Sequence, residues 1–215
     1  MNASPPLTLH CFAGDAQSLP IILLADYLSL KLNVRYLKPI NLNEKLYKSS
    51  LTKTFPMLQI DLKEGVLFIE KSNAILRHLA RLSPSDSINH SLDPFKVSLI
   101  DQLLDTLNQE IFPVAQALFA SNTAILELDK TESAELKKQL FSNLNAFGKS
   151  LKMIEEFGVT LADFMILGLV VSLNSDFGLN RKIPAFGGLV DRLGKASKMD
   201  PKFERIVKAF KCVSK

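Results

Sequence analysis

The stretch from Thr54 to Leu82, TFPMLQIDLKEGVLFIEKSNAILRHLARL, constrains the fold of this chain more than any other. Two short, β-rich apolar runs, Met57–Ile60 and Val66–Ile69, flank Lys63-Glu64-Gly65. That pattern predicts a hairpin, with Gly65 supplying the positive φ of a tight turn. Past Ile69 the period lengthens. Ile69, Ala74, Ile75, His78 and Leu79 fall near one face of a helix that Lys71-Ser72-Asn73 can start. Pro56 has no N–H to give a ladder, so it belongs at a strand start or edge. An X-Pro bond takes the cis form for only about 0.5–1 kcal/mol, so a cis Phe55-Pro56 peptide is within reach.

Upstream, Leu7–Phe12 reads as a strand and Ala13–Ser18 as its connection. Ser18 can cap the next helix, with Pro20 in its first turn. Ile21, Leu24, Ala25, Leu28 and Leu32 mark one face of that helix, and Asn33 stops it. Val34–Leu37 is a second strand, ended by Pro39. The β-α-β order makes the first two strands parallel. Asn41–Thr54 is polar, with room for little more than one helical turn.

Downstream of residue 82 the strand signals stop. Residues 83–93 are rich in Ser, Pro, Asn and Asp and read as a linker. The expected domains are therefore 1–82, α/β, and 94–215, all-helical. Asp93 caps a long amphipathic helix over Phe95–Phe119, kinked at Pro113. Thr131–Glu156 repeats the pattern with Leu136, Leu140, Leu144, Phe147, Leu151 and Ile154, and Gly158 stops it. Thr160 and Asp163 form a capping-box variant. The helix it opens, Leu161–Leu173, is apolar nearly all round and so forms the centre of its domain. Ile183-Pro184 starts a further helix, and Asp200-Pro201 starts a last one that buries Phe203, Ile206, Val207 and Phe210.

Composition narrows the function classes. Hydrophobic content of 47% gives a real core, and charged residues at 22% argue against disorder. Net charge is +4, a mild basic bias that reads as a solvated surface. No Lys/Arg block is dense enough to track phosphates. Cys11 and Cys212 are far apart and show no metal spacing, so no metal and no disulfide framework is expected. The N-terminus lacks a secretory pattern, and the longest apolar run, Phe164–Leu173, is about half a membrane span. A soluble chain in the reducing cytoplasm is the expectation.

Phe55-Pro56-Met57, the hairpin and Ser72-Asn73-Ala74-Ile75 together resemble the second half of the thioredoxin-like domain in the glutathione transferase superfamily. Thr160-Leu161-Ala162-Asp163 is similar to the folding motif of that family's helical domain. The resemblance covers nearly the whole chain. It implies a thioredoxin-like N-terminal domain and an all-α C-terminal domain. It also implies that Ser72 and the backbone after a cis Pro56, at Met57, bind the glutamyl part of glutathione. The competing expectation is that Ser72 caps its helix and Pro56 sets a turn. The family has an acid before the serine. Here Lys71 stands there, Glu70 is displaced by one, and a lysine repels the substrate's ammonium.

In that family a Tyr, Ser or Cys after the first strand donates a hydrogen bond to the glutathione sulfur and favours thiolate. In this chain Asp15 falls at that place, and an ionised carboxylate has no proton to donate. Ser18 is the only hydroxyl nearby, and its expected use is the helix cap. Cys11, inside a strand, reads as an inert small hydrophobe. No catalytic residue is therefore assigned, and glutathione is at most a weakly held ligand of Pro56, Met57 and Ser72. Within the superfamily, Glu110–Ala115 and the closing segment Pro201-Lys202-Phe203 are similar to the transferase-like domains of the elongation factor one gamma subunit and of some aminoacyl-tRNA synthetases. That resemblance implies a non-catalytic scaffold that assembles translation subunits. A homodimer is a further expectation, as is a weak tRNA contact through the lysines between Lys195 and Lys215. The alternative is a catalytic glutathione transferase. Either a free-standing adaptor or a piece of a longer protein fits the sequence.

Overall fold

The structure, a computed structural model, describes residues 5–13, 15–37, 48, 54–82, 88, 93–122, 127–177 and 184–209. The expected short helix over 41–54, most of the linker over 83–93, Phe210 and Cys212 lie outside the described residues. The chain divides into two compact units, Met1–Ser85 and Asp86–Lys215.

The first unit is a four-stranded mixed sheet with helices. Its strands are β1 (Leu7–Phe12), β2 (Leu32–Leu37), β3 (Met57–Leu62) and β4 (Gly65–Glu70), in the order β2-β1-β3-β4. β1 pairs parallel with β2 and antiparallel with β3, and β3 pairs antiparallel with β4. Helix α1 (Leu19–Tyr27) forms the β1–β2 crossover, and α2 (Ser72–Leu82) follows β4. Leu62 pairs with Gly65, so Lys63-Glu64 is a two-residue turn closed by a glycine at φ +148. Leu9, Cys11, Leu58 and Ile60 of the sheet are buried, as are Ile21 and Leu24 of α1 and Ile75 and Leu79 of α2. This is the expected thioredoxin-like arrangement.

Two boundaries differ from the sequence reading. Helix α1 ends at Tyr27 rather than Leu32, and Ser29 takes a left-handed φ of 57°. Leu32 is extended instead, because it pairs with Leu7 at the start of the parallel ladder. In α2 the buried face runs through Ile75, Leu76, Leu79 and Ala80, while Ala74 is exposed and His78 half-buried. The apolar stripe is one position later than the spacing suggested.

The second unit is helical among its described residues. It contains α3 (Pro94–Thr106), α4 (Phe112–Asn122), α5 (Lys130–Ser150), α6 (Leu161–Phe177), α7 (Pro184–Met199) and α8 (Pro201–Ala209). Asp93 caps α3 by accepting from the amides of Phe95 and Lys96, and Asp200 caps α8 by accepting from Lys202 and Phe203. Asp129 and Glu132 close a reciprocal capping box on α5. The first ten residues of α6 are all buried, which makes it the centre of the unit. Its Phe164 meets Phe203 of α8 edge to face, with ring centroids 5.1 Å apart. Gly148 of α5 and Gly188 of α7 sit where these helices cross. A Cβ on Gly188 would lie 3.3 Å from the Gly148 Cα, so the close approach depends on glycine.

The expected kink at Pro113 takes a particular form. A π-helical turn, Leu107–Ile111, joins α3 to α4, and the Phe112 amide donates five residues back to Leu107. Pro113 has no N–H, and its ring would strike a carbonyl four residues earlier in a regular helix. The wider turn relieves that crowding. Beside this turn, the Glu110 carbonyl accepts from Asn143 Nδ2 of α5, at 2.7 Å.

Candidate functional site

The register of the hairpin builds the first candidate site. Met57 pairs with Glu70, which brings the Pro56 end of β3 alongside the chain that enters α2. The Phe55-Pro56 peptide is cis. Phe55 packs edge to face on Phe12 at the end of β1, with centroids 5.5 Å apart. On the other side of the register, Lys71 turns the chain with a left-handed φ of 72°. Its carbonyl accepts from the Ile75 amide at 3.1 Å, so Lys71, not Ser72, occupies the capping position of α2. Ser72 is the first residue of the helix, 2% exposed. Its Oγ has no hydrogen-bond partner among the described residues. The expectation that Ser72 caps the helix therefore fails, and its hydroxyl is a buried polar group left over. Such groups are few in folded proteins, because an unmade hydrogen bond costs about 1–3 kcal/mol.

The connection after β1 holds the second candidate group. The Asp15 carbonyl accepts from the amides of Ser18 and Leu19 at 3.1 and 3.2 Å, and its Oδ1 accepts from the Gln17 amide at 3.1 Å. Ser18 is buried, and its Oγ donates to Asp15 Oδ2. Ser18 stands at the head of α1 but makes no side-chain cap bond. The reason is local. The second helical residue is Pro20, which has no N–H, and the Ile21 amide already donates to the Ser18 carbonyl at 3.1 Å. With no amide to accept from, the hydroxyl turns back to the carboxylate.

Burial raises the Asp15 carboxyl above its ordinary range, and the bonds from Ser18 and Gln17 only partly oppose this. An ordinary carboxylate is ionised at neutral pH, whereas the surroundings of Asp15 resist that charge. Cys11 is buried as expected. Burial, with the Asp15 charge beside it, pushes its thiol up to about 11 against a hydrogen bond with Ser18. A thiol held there is a poor nucleophile.

The Thr160–Asp163 motif in the helical unit is structural. Asp163 Oδ2 accepts from the Thr160 amide at 2.8 Å and from Thr160 Oγ1 at 2.9 Å. The residue that sequence reasoning missed is Arg192 of α7. Its Nε donates to Asp163 Oδ1 and its Nη2 to Asp163 Oδ2, both at 2.7 Å. The remaining guanidinium donors reach the carbonyls of Ile154, Glu155, Phe157 and Gly158. All five N–H groups are thereby used, and a buried charge pair closes the chain between α5 and α6. A separation of 29 residues leaves no local pattern to announce this pair.

Among the described residues no three His, Cys, Asp or Glu side chains gather as metal ligands would, and no helix is long and apolar enough to cross a membrane.

No family model matches the chain, and no curated protein sequence matches it. Solved structures do. Yeast Ure2p in complex with glutathione is similar over 97% of this chain and 95% of its own, at 14% identity and a TM-score of 0.76. A glutathione transferase family member from Pseudomonas fluorescens, with two glutathione bound, matches over 96% and 94%, at 15% identity and a TM-score of 0.75. NaGST-2 matches over 94% and 96%, at 18% identity and a TM-score of 0.72.

At the α2 entrance the Ser72 hydroxyl is left without a partner among the described residues, and in the loop after β1 the Ser18 hydroxyl is donated to a carboxylate. At these identities the likeness establishes architecture: the chain has the glutathione transferase fold.

Proposed function

We propose that this chain is a non-catalytic protein of the glutathione transferase fold that holds a glutathione-like ligand weakly and acts by assembling with other proteins. The observation that carries the reading is the hydrogen bond from Ser18 to Asp15. Thiolate formation in a transferase needs a donor aimed at sulfur. Here the one hydroxyl of the described loop points at a carboxylate and not at a ligand's sulfur. The Ser72 hydroxyl supports retained recognition of the glutamyl end.

The partners we propose are cytoplasmic translation subunits, either elongation-factor exchange subunits or synthetase domains of the same fold. The similarity of Glu110–Ala115 and of the segment around Phe203 to those scaffolds supports this choice. A homodimer is a further proposed assembly. A stable contact of either kind buries on the order of 1,200–2,000 Å².

Titration calorimetry with glutathione, paired with a chlorodinitrobenzene conjugation assay, tests the catalytic half. Saturable binding without turnover is expected. Turnover that Ser18→Ala abolishes would instead establish a working transferase. Affinity capture from the native source tests the assembly half: recovery of translation subunits supports it, and their absence among specific partners refutes it.

A further inference from the structure

The entrance to α2 has a charge character of its own. Lys71 directly precedes the helix and is exposed. No acidic residue lies in the first turn. The helix end itself carries partial positive charge. At the same place Ser72, 2% exposed, keeps an Oγ without a partner among the described residues. A buried hydroxyl, a cation and a helix N-terminus together suit a negatively charged oxygen group. A neighbouring ammonium would be repelled by Lys71 and by the helix end alike. Glu70, the nearest acid before the helix, lies in β4 opposite Met57, one residue before the left-handed turn at Lys71.

We infer that the α2 entrance recognises a lone carboxylate, and that the preferred ligand is a thiol or thioether peptide whose amino end carries no free ammonium. This rests on the glutathione-like reading above and changes the ligand class within it. Glutathione presents a carboxylate and an ammonium on one carbon. A glutaryl peptide presents the carboxylate alone. Lys71 is thus a specificity-determining residue, and Ser72 is the anchor for either ligand.

The test is calorimetry on the full chain with three probes: glutathione, glutaryl-cysteinylglycine, and glutathione amidated at its glutamyl carboxylate. The glutaryl peptide should bind about fivefold more tightly than glutathione. The amidated peptide should bind most weakly. Lys71→Glu should reverse the order of the first two. Lys71→Gly, which suits the left-handed backbone, should make them equal. Ser72→Ala should weaken both carboxylate ligands and leave the amidated one unchanged. Tighter binding of glutathione than of the glutaryl peptide would overturn the inference while leaving the glutathione-binding reading intact, and its loss in Glu70→Gln would identify Glu70 as the ammonium partner. If no peptide binds but glutarate does, the carboxylate site stands and the peptide-thiol reading falls. If neither class binds to folded protein, both are refuted.

Discussion

Asp163 and Asp15 are both carboxylates withdrawn from water, one in each unit of the chain, and their surroundings differ in kind. Asp163 faces a guanidinium with two bonds at 2.7 Å and takes two more from Thr160. Asp15 has a hydroxyl and amides but no cation among its bonded partners. The first is a closed ion pair that fixes the start of α6. The second is a charge held by dipoles alone, and burial works against it. The compensated buried acid is a structural clamp, whereas the half-buried acid without a cation holds its proton more tightly than a free carboxyl does.

The strongest way to break this contrast is Arg192→Met. It strands the Asp163 carboxylate in the core and should destabilise the chain by about 3–5 kcal/mol in denaturant unfolding. Adding Asp163→Asn should recover part of that loss, since the stranded charge is removed. If Arg192→Met costs under about 1 kcal/mol, the pair is no clamp.

Asp15→Ala probes the other side. It releases the Ser18 hydroxyl, which then becomes available to a bound sulfur. The thiol of bound glutathione should titrate lower than on the parent chain, read from thiolate absorbance. An unchanged titration would mean that Ser18 does not face the ligand.

A smaller effect separates two groups within the first unit. The folded chain holds the Asp15 proton to higher pH than the unfolded chain does. Its stabilising contribution is full at pH below the unfolded carboxyl range and is lost as pH rises through the folded value. His10 runs the other way. Burial, helped by Arg35, holds its imidazole below the usual range, although Gln59 and Asp61 oppose this. Its contribution is present above the unfolded imidazole range and is lost as pH falls through the folded value. Asp15→Asn should flatten the acidic arm of a Tm profile in the sense of removing a fall with rising pH, and His10→Gln should remove a fall with decreasing pH.

The smallest effect belongs to an exposed pair. Glu204 and Lys208 of α8 meet at 2.6 Å, as close as Arg192 and Asp163, but in solvent. Lys208→Ala should change stability by no more than about 0.5 kcal/mol. Equal losses here and at Arg192 would remove burial as the deciding variable.

The parts of this molecule that could be read from sequence are those decided within a few residues. The hairpin, the helix starts at Asp93, Asp200 and Thr160, and the buried run of α6 all follow from local pattern. The cis Phe55-Pro56 peptide came through resemblance to a family rather than from spacing. Expectations failed where tertiary pairing or a neighbouring proline overruled residue preference. Leu32 left a helical stripe to join Leu7 in the ladder. Ser18 had the right residue type for a cap, but Pro20 had removed the amide it needed. Arg192 escaped notice because nothing near it in sequence refers to Asp163. At the candidate site, the sequence names Pro56, Met57 and Ser72 as candidates, while the unpartnered state of the Ser72 hydroxyl needs three dimensions.

The burial of Cys11 has a practical consequence. Its sulfur belongs to the inner strand β1, is fully enclosed, and stays protonated at neutral pH. An alkylating reagent can reach it only when β1 lets go of its neighbours. In a Cys212→Ser background the modification rate under native conditions therefore becomes an internal clock for opening of the α/β unit.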